Sequence, residues 1–280
     1  MTSFFEALAT KLHLHFLKSH PLSGGDINKV FLLQFEEGEF VIKLNSLKRF
    51  PGIFQAEAKG LKLLEASRSF IIPEVFDGGE LNSHAYLLIK YLEPSDFKED
   101  FSSLFAEKLV KLHKTTQPKF GLDHDNYIGS LPQQNDFCET PYEFYISQRL
   151  LPQFKMAHDK GFKFPTIESL FKNLYDEIPD EAPSLIHGDL WNGNYLNTKN
   201  GPALIDPAVS FGPREMDLAM MKLFGGFDSS IFDKYNELFP LRANWKNRIE
   251  VWQLYYLLVH LNLFGPGYLQ GVENIVRKYS

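Results

Sequence analysis

The apolar positions of this chain change period near residue 92. Residues 3–18 place Phe4, Leu8, Leu12 and Phe16 on one helical face, and Pro21 with the cluster 23–26 ends that pattern. Apolar runs at 30–35 and 40–44 then flank Glu36-Glu37-Gly38-Glu39 and predict a hairpin. A helix follows from about Phe54 to Ser67, with Leu61 and Leu64 in step. Two further strands are predicted at Ile71–Phe76 and Ala85–Leu92, separated by Gly78-Gly79. Beyond Tyr91–Pro94 helical spacing dominates, beginning with the stripe Phe105, Leu109, Leu112 ahead of His113, which reads as structural. Tyr142–Ala157 is a further helix that Pro152 divides, and Val251–Phe264 reads as the buried final helix, stopped at Gly265-Pro266-Gly267. The expectation is an α+β, bilobal architecture. A small antiparallel sheet with one helix occupies residues 1–91, and a larger, mostly helical lobe occupies residues 92–280.

One stretch of the second lobe breaks the helical pattern. Leu185-Ile186-His187-Gly188-Asp189-Leu190-Trp191-Asn192-Gly193-Asn194 runs into Tyr195-Leu196-Asn197, turns at Asn200-Gly201 and returns as Ala203-Leu204-Ile205-Asp206. His187, Asp189, Asn194 and Asp206 therefore fall at strand ends, where a hairpin can hold them in convergent positions. Their order follows the protein-kinase arrangement, with Gly188 in place of Arg and Asp206-Pro207 in place of Asp-Phe-Gly. Phosphoryl transfer needs such a set: one carboxylate for the acceptor hydroxyl (Asp189), and an amide and a carboxylate for a metal (Asn194, Asp206). The competing reading is a surface hairpin whose acids are turn residues and caps.

Partners for this motif can be sought in the first lobe. Lys43 lies at a strand end, ordinarily a solvated place. Glu57, however, stands at i relative to Leu61 and Leu64 at i+4 and i+7, so its carboxylate borders an apolar stripe and requires a cation. A Lys43–Glu57 pair would position the α- and β-phosphates of ATP; alternatively Glu57 reaches solvent beside Lys59 or Lys62. Gly24 and Gly25 open a turn that could lay N–H groups over phosphates, although Gly-Gly before a strand is more often only a turn. The backbone of Ile89, Lys90, Tyr91 and Leu92, at the lobe boundary, is the natural hinge for an adenine edge. Asp123, His124 and Asp125 could ligate a metal but read better as turn formers. Arg149 could anchor a carboxylate or a loop, and Asp217 could cap its helix or brace the catalytic loop. The acids of 215–217 suit the dipole of the helix that they begin.

Composition narrows the classes. The 29 Lys and Arg against 35 Asp and Glu give a net charge of −6 without a basic block, so nucleic acid is not an expected partner. The single cysteine, Cys138, excludes an intramolecular disulfide and a Cys-rich zinc site, and it fits a reducing, cytoplasmic compartment. The first twenty residues show no signal-peptide pattern, and no apolar run spans a membrane. No internal repeat or low-complexity segment stands out.

The segments Asp125-Asn126-Tyr127-Ile128-Gly129-Ser130-Leu131-Pro132-Gln133, Arg149–Pro152, His187–Asn194 with Trp191, Asp206-Pro207-Ala208, Arg214–Met220 and His260–Gly265 together resemble the fructosamine kinases, or ketosamine-3-kinases. The broader pattern resembles aminoglycoside and choline kinases, which lack Trp191 and the 127–130 loop. The resemblance implies a protein-kinase-like fold, ATP with Mg2+, and phosphorylation of the sugar 3-hydroxyl of ketosamines, free or protein-bound. Ribulosamines or erythrulosamines are the preferred expectation, and a monomer is favoured. It further implies Asp189 as catalytic base and substrate contact, His187 as its brace, and Trp191 as an apolar face for sugar or amine. One departure is Ser23-Gly24-Gly25-Asp26-Ile27-Asn28, where the family has Gly-Gly-Gly-Cys-Ile-Ser. Without that thiol, no redox-linked dimer is expected through this loop. The rival readings are an aminoglycoside- or choline-type phosphotransferase and a non-catalytic pseudokinase.

Overall fold

The computed structural model describes residues 1–22, 28–96 and 100–280. The chain opens with α1 (Thr2–Leu12), which ends early because His13 adopts a left-handed conformation at φ 56°. Phe16 therefore does not extend the helix as its spacing suggested; it begins strand β1 (Phe16–Pro21). Strands β2 (Lys29–Phe35) and β3 (Gly38–Ser46) form the expected hairpin, followed by α2 (Ile53–Ala66). Strands β4 (Val75–Leu81) and β5 (His84–Lys90) complete a five-stranded sheet in the order β1-β2-β3-β5-β4, antiparallel throughout. Gly78 and Gly79 lie inside β4. The turn is at Asn82 and Ser83, whose φ angles of 45° and 66° suit a tight hairpin.

Alternation along β3 decides what each face of this sheet meets. Phe40, Ile42 and Leu44 are buried against α1 through Phe4, Phe5 and Leu8. Val41 and Lys43 point the other way, towards α2, where Ile53, Phe54 and Leu61 pack with Leu87 and Ile89. The sheet thus carries a helix on each face, one more than its sequence pattern suggested. Lys43 sits in mid-strand, paired with Val30 and Leu87, rather than at a strand end.

The remainder is mostly helical. After α3 (Phe101–His113) comes a small hairpin of β6 (Asn126–Ile128) and β7 (Leu131–Gln133). The expected 142–157 helix is three pieces: α4 (Pro141–Phe144), a π-helical turn (Tyr145–Leu150) and α5 (Leu151–Asp159). Pro152 donates no hydrogen bond, and the Gln148 carbonyl accepts instead from Arg149 Nη1 at 3.0 Å. Next are α6 (Ile167–Glu177), β8 (Ser184–Ile186), the hairpin β9 (Tyr195–Thr198) and β10 (Gly201–Leu204), and β11 (Ser210–Gly212), which pairs with β8. The β9–β10 turn is Lys199-Asn200, one residue earlier than the Asn-Gly signal placed it. Helices α7 (Glu215–Leu223), α8 (Ser229–Leu238), α9 (Trp245–Phe264) and α10 (Leu269–Tyr279) close the chain, so α9 is not the final helix. One apolar core runs through this part, from Phe105 and Leu109 to Trp252 and Leu258. No helix among the described residues is long and apolar enough to cross a membrane.

Candidate active site

The loop joining β8 to β9 is held from beneath. The Asp217 carboxylate, on α7, accepts the N–H of His187 at 2.8 Å and of Gly188 at 2.9 Å. It is fully buried and also meets His113 Nε2 at 3.2 Å. Arg214 Nη1 lies 3.5 Å from Tyr235 Oη, which lies 2.7 Å from His113 Nδ1. Donors and acceptors balance if Tyr235 donates to Nδ1 and His113 donates from Nε2 to Asp217. Burial lowers the His113 pKa, with Asp217 opposing, so the ring is neutral. Asp217 is thus the brace its position suggested, and His113 is structural through it. The neighbouring acid, Glu215, also stands in the first turn of α7, as the dipole reading placed it, and its carboxylate has side-chain partners besides. It is buried, and it accepts from Arg248 at 2.7 and 2.9 Å and from Trp252 Nε1 at 2.7 Å.

His187 lies inside the protein. Its Nε2 donates to the Ile205 carbonyl at 2.9 Å, its Nδ1 accepts from the Asp189 N–H at 3.3 Å, and burial lowers its pKa. It ties the two sides of the site together and has no free nitrogen for acid–base chemistry. Gly188 takes φ 82°, and a Cβ there would lie 2.1 Å from the Ala208 carbonyl oxygen. The position that holds Arg in protein kinases has room here only for hydrogen.

Above this base the sequence-selected polar groups meet. Asp189 Oδ2 accepts from Asn194 Nδ2 at 3.1 Å, and the Asp189 carbonyl accepts from the same nitrogen at 2.8 Å. Burial, then the charge of Asp206, pushes the Asp189 carboxyl up to about 7, with the Asn194 hydrogen bond opposing. Lys43 Nζ is 2.5 Å from Glu57 Oε1 and 2.5 Å from Asp206 Oδ1, so one ammonium links β3, α2 and the residue after Ile205. Burial alone would lower its pKa; the carboxylates of Asp206 and Glu57 outweigh that and raise it, so Lys43 remains charged. Helix α2 can bring Glu57 this close because Gly60 packs against the 207–209 segment, where a Cβ would stand 3.2 Å from a Val209 methyl.

These residues line a cleft of about 1130 Å³ between the sheet and the helical part. Ile89, Lys90, Tyr91 and Leu92 line it as well, although the Tyr91 N–H is committed to the Glu39 carbonyl at 3.1 Å. Trp191 lines it with 39% of its surface exposed. Gly24, Gly25 and Asp26 lie outside the described residues. Asp123 pairs with His124 at 2.5 Å and Asp125 accepts the Asn135 N–H at 3.0 Å. No group of three or more His, Cys, Asp or Glu among the described residues could hold a metal alone. A hard divalent ion that is completed by substrate phosphates needs only one or two protein oxygens. Asn194 and Asp206 fit that requirement: the Asn194 nitrogen is committed to Asp189, which leaves its oxygen available, and Asp206 carries a second carboxylate oxygen beyond the one on Lys43.

One set of positioning residues escaped the sequence reading. Asn126 Nδ2 donates to the Val209 carbonyl at 2.8 Å, and Gln133 Nε2 donates to the Ala208 carbonyl at 3.1 Å and to Asn126 Oδ1 at 2.7 Å. Asn135 Nδ2 reaches Asn126 Oδ1 at 2.9 Å, and Arg149 Nη2 donates to Asn135 Oδ1 at 2.8 Å. Arg149 thus anchors a loop, and the small hairpin fixes the backbone just beyond Asp206. The polar character of Asn126 and Gln133 is visible in the sequence, but their partners are some 75 to 83 residues away and no local pattern reveals them.

The family model for fructosamine kinases matches residues 4–280. The chain belongs to that family. A probable ketoamine kinase of Enterococcus faecium is 39% identical over 272 residues, covering 92% of this chain and 94% of that protein. Among solved structures, a candidate fructosamine-3-kinase from Haemophilus somnus superposes with a TM-score of 0.89 at 28% identity, covering 98% of this chain and 95% of the other. A thermostable variant of the aminoglycoside phosphotransferase APH(4)-Ia, in a ternary complex with AMP-PNP and hygromycin B, shares the protein-kinase-like fold. Its TM-score is 0.62 at 19% identity, with 97% of each chain covered.

Proposed function

We propose that this fructosamine kinase family member transfers the γ-phosphoryl group of ATP to the sugar 3-hydroxyl of a ketoamine. The observation that carries the reading is one ammonium, Lys43, joining Glu57 to Asp206 in the cleft that also holds Asp189 and Asn194. In this reading Lys43 offsets charge on the α- and β-phosphates while Glu57 holds it in place. Asn194 and Asp206 would hold magnesium, which would offset the negative charge of the transferring phosphate. Asp189 accepts a hydrogen bond from the attacking hydroxyl and aligns it with the phosphorus. A loose transition state asks little base strength of that carboxylate, and a pKa near neutrality suits proton acceptance. His187 stays out of the proton path and keeps the Asp189 and Asp206 loops in register. Residues 89–92 border the adenine, and Trp191 lies along the acceptor.

Ribulosamines and erythrulosamines are proposed as better acceptors than fructosamines. Phosphorylation at the 3-position leaves an adduct prone to eliminate, so the activity amounts to removal of sugars from amines, including protein lysines. The protein is proposed to act as a monomer in the cytoplasm, with domains meeting near residues 91–92. The test is ADP formation with ribulose-lysine and fructose-lysine against an aminoglycoside and choline, followed by NMR location of the phosphate. Turnover of an aminoglycoside or choline alone would replace the ketoamine assignment. Magnesium-dependent ATP binding without turnover of any amine would favour a pseudokinase.

A further inference from the structure

Four aromatic rings gather on the helical side of the cleft, where α7 and α9 end. His260 is the centre, with ring-centroid distances of 4.7 Å to Phe224, 5.0 Å to Tyr268 and 5.5 Å to Phe264. All four line the same cleft as Asp189. Phe224 and Phe264 keep 41% and 51% of their surface exposed, so packing alone does not account for them. His260 Nδ1 lies 2.8 Å from the Tyr256 carbonyl. A carbonyl only accepts, so Nδ1 carries the ring hydrogen and Nε2 carries a lone pair.

We propose that this cluster is the subsite for the substrate's secondary ammonium group, with His260 Nε2 accepting an N–H and the aromatic faces surrounding the cation. The inference rests on the ketoamine reading and adds to it the part of the site that distinguishes an amine adduct from a plain sugar. Three features favour a cation over a neutral group. Aromatic faces attract cations through their quadrupoles, most strongly where water is partly excluded. Among the described residues, the lysines lining the cleft, Lys43 and Lys90, stand on β3 and β5 and not in the cluster. The imidazole presents an acceptor, which an ammonium N–H needs and an ether oxygen does not. Burial also lowers the His260 pKa, which keeps that acceptor unprotonated. The substituent on the amine then leaves past the exposed edges of Phe224 and Phe264 towards solvent.

The experiment compares a 1-alkylamino-1-deoxyribulose with its 1-alkoxy counterpart, which has the same shape but neither charge nor N–H. The unsubstituted protein should prefer the amine in kcat/KM. In His260→Phe, which keeps a ring and removes the acceptor, that preference should fall about tenfold through KM for the amine, the order expected for a hydrogen bond to a charged group. KM for ATP should hold. An unchanged amine-to-ether ratio in His260→Phe overturns the proposal. A second readout needs neither turnover nor a folded variant. N-methylbutylammonium chloride should shift a histidine ring-proton resonance of the unsubstituted protein saturably, where butyl methyl ether and sodium chloride do not. No saturable shift, or the same shift with the ether, also overturns it. If neither sugar is phosphorylated, the ketoamine reading fails by itself, and the ammonium titration still decides the subsite.

Discussion

Replacing Gly188 by Ala inserts one methyl group where the site has least room. The added Cβ would lie 2.1 Å from the Ala208 carbonyl oxygen, at least ~1 Å inside an ordinary nonbonded contact. The carbonyl cannot easily retreat, because Ala208 donates its N–H to His187 O at 2.9 Å and accepts from Gln133 at 3.1 Å. Nor can residue 188 rotate away, since its N–H is held by Asp217 at 2.9 Å. A left-handed conformation costs an L-residue about 1–2 kcal/mol, and overpacking adds roughly 1–3 kcal/mol. The expected loss of stability is therefore about 2–5 kcal/mol, read as a lower urea midpoint at unchanged slope. In the folded fraction the strain is relieved by moving Asp189 away from Asp206, and a misplacement of about 1 Å can lower turnover roughly 100-fold. The assay is ADP formation with ribulose-lysine, normalised to folded protein by circular dichroism. A Gly188→Ala protein within ~1 kcal/mol of the unsubstituted stability and threefold of its turnover would refute this account of the loop.

Asp189→Asn should lower turnover about 10²–10⁴-fold, while the affinity for ATP measured by calorimetry changes little; near-normal turnover would remove Asp189 from the proton path. His113 supplies a pH test. Its folded pKa lies below the unfolded value of 6.5, so the unfolded chain takes up the proton first on acidification. The stability this gives is full above pH 6.5 and is lost as pH falls towards the folded pKa, by up to ~1.4 kcal/mol per pH unit. His113→Gln should therefore show a shallower loss than the unsubstituted protein in urea unfolding at pH 7.5, 6.5 and 5.5, and parallel curves would contradict it. Cys138 is 3% exposed and burial raises its thiol pKa, so a disulfide-exchange reagent should label it only with unfolding. A cross-linked dimer formed by the native protein under diamide would show otherwise.

The site was legible where a local pattern carried it. Asp189, Asn194 and Asp206 stand at the ends of strands whose apolar runs and turn residues are contiguous in sequence. Glu57 announced itself as an acid on an apolar stripe, and Lys43 was the cation that it required. What escaped was tertiary in origin. The side-chain partners of Glu215 come from α9, and the carbonyls that Asn126 and Gln133 hold belong to Val209 and Ala208, just beyond Asp206, so helix-dipole and turn arguments did not reveal them. Boundaries slipped where a left-handed residue other than glycine made the turn, as at His13 and at Asn82-Ser83. The second helix on the sheet was half visible: Phe4 and Leu8 were placed on its buried face, but Phe5 and Ala9 were not, and nothing local says which surface it covers.

The π-helical turn at Tyr145–Leu150 makes a statement about insertions and deletions. A π turn holds one residue more than an α turn, and one residue corresponds to about 100° of helix rotation. Relatives that lack that residue, or proteins engineered to remove it, would enter α5 with a different side facing α9. Gln153, whose carbonyl and side-chain oxygens both meet Asn262 at 2.9 Å, would swing off its partner, and Arg149 would leave the loop it anchors. Length in this stretch is therefore a stricter constraint than residue identity. A single-residue deletion between 145 and 150 is expected to be worse tolerated than substitution of any one exposed side chain of α5.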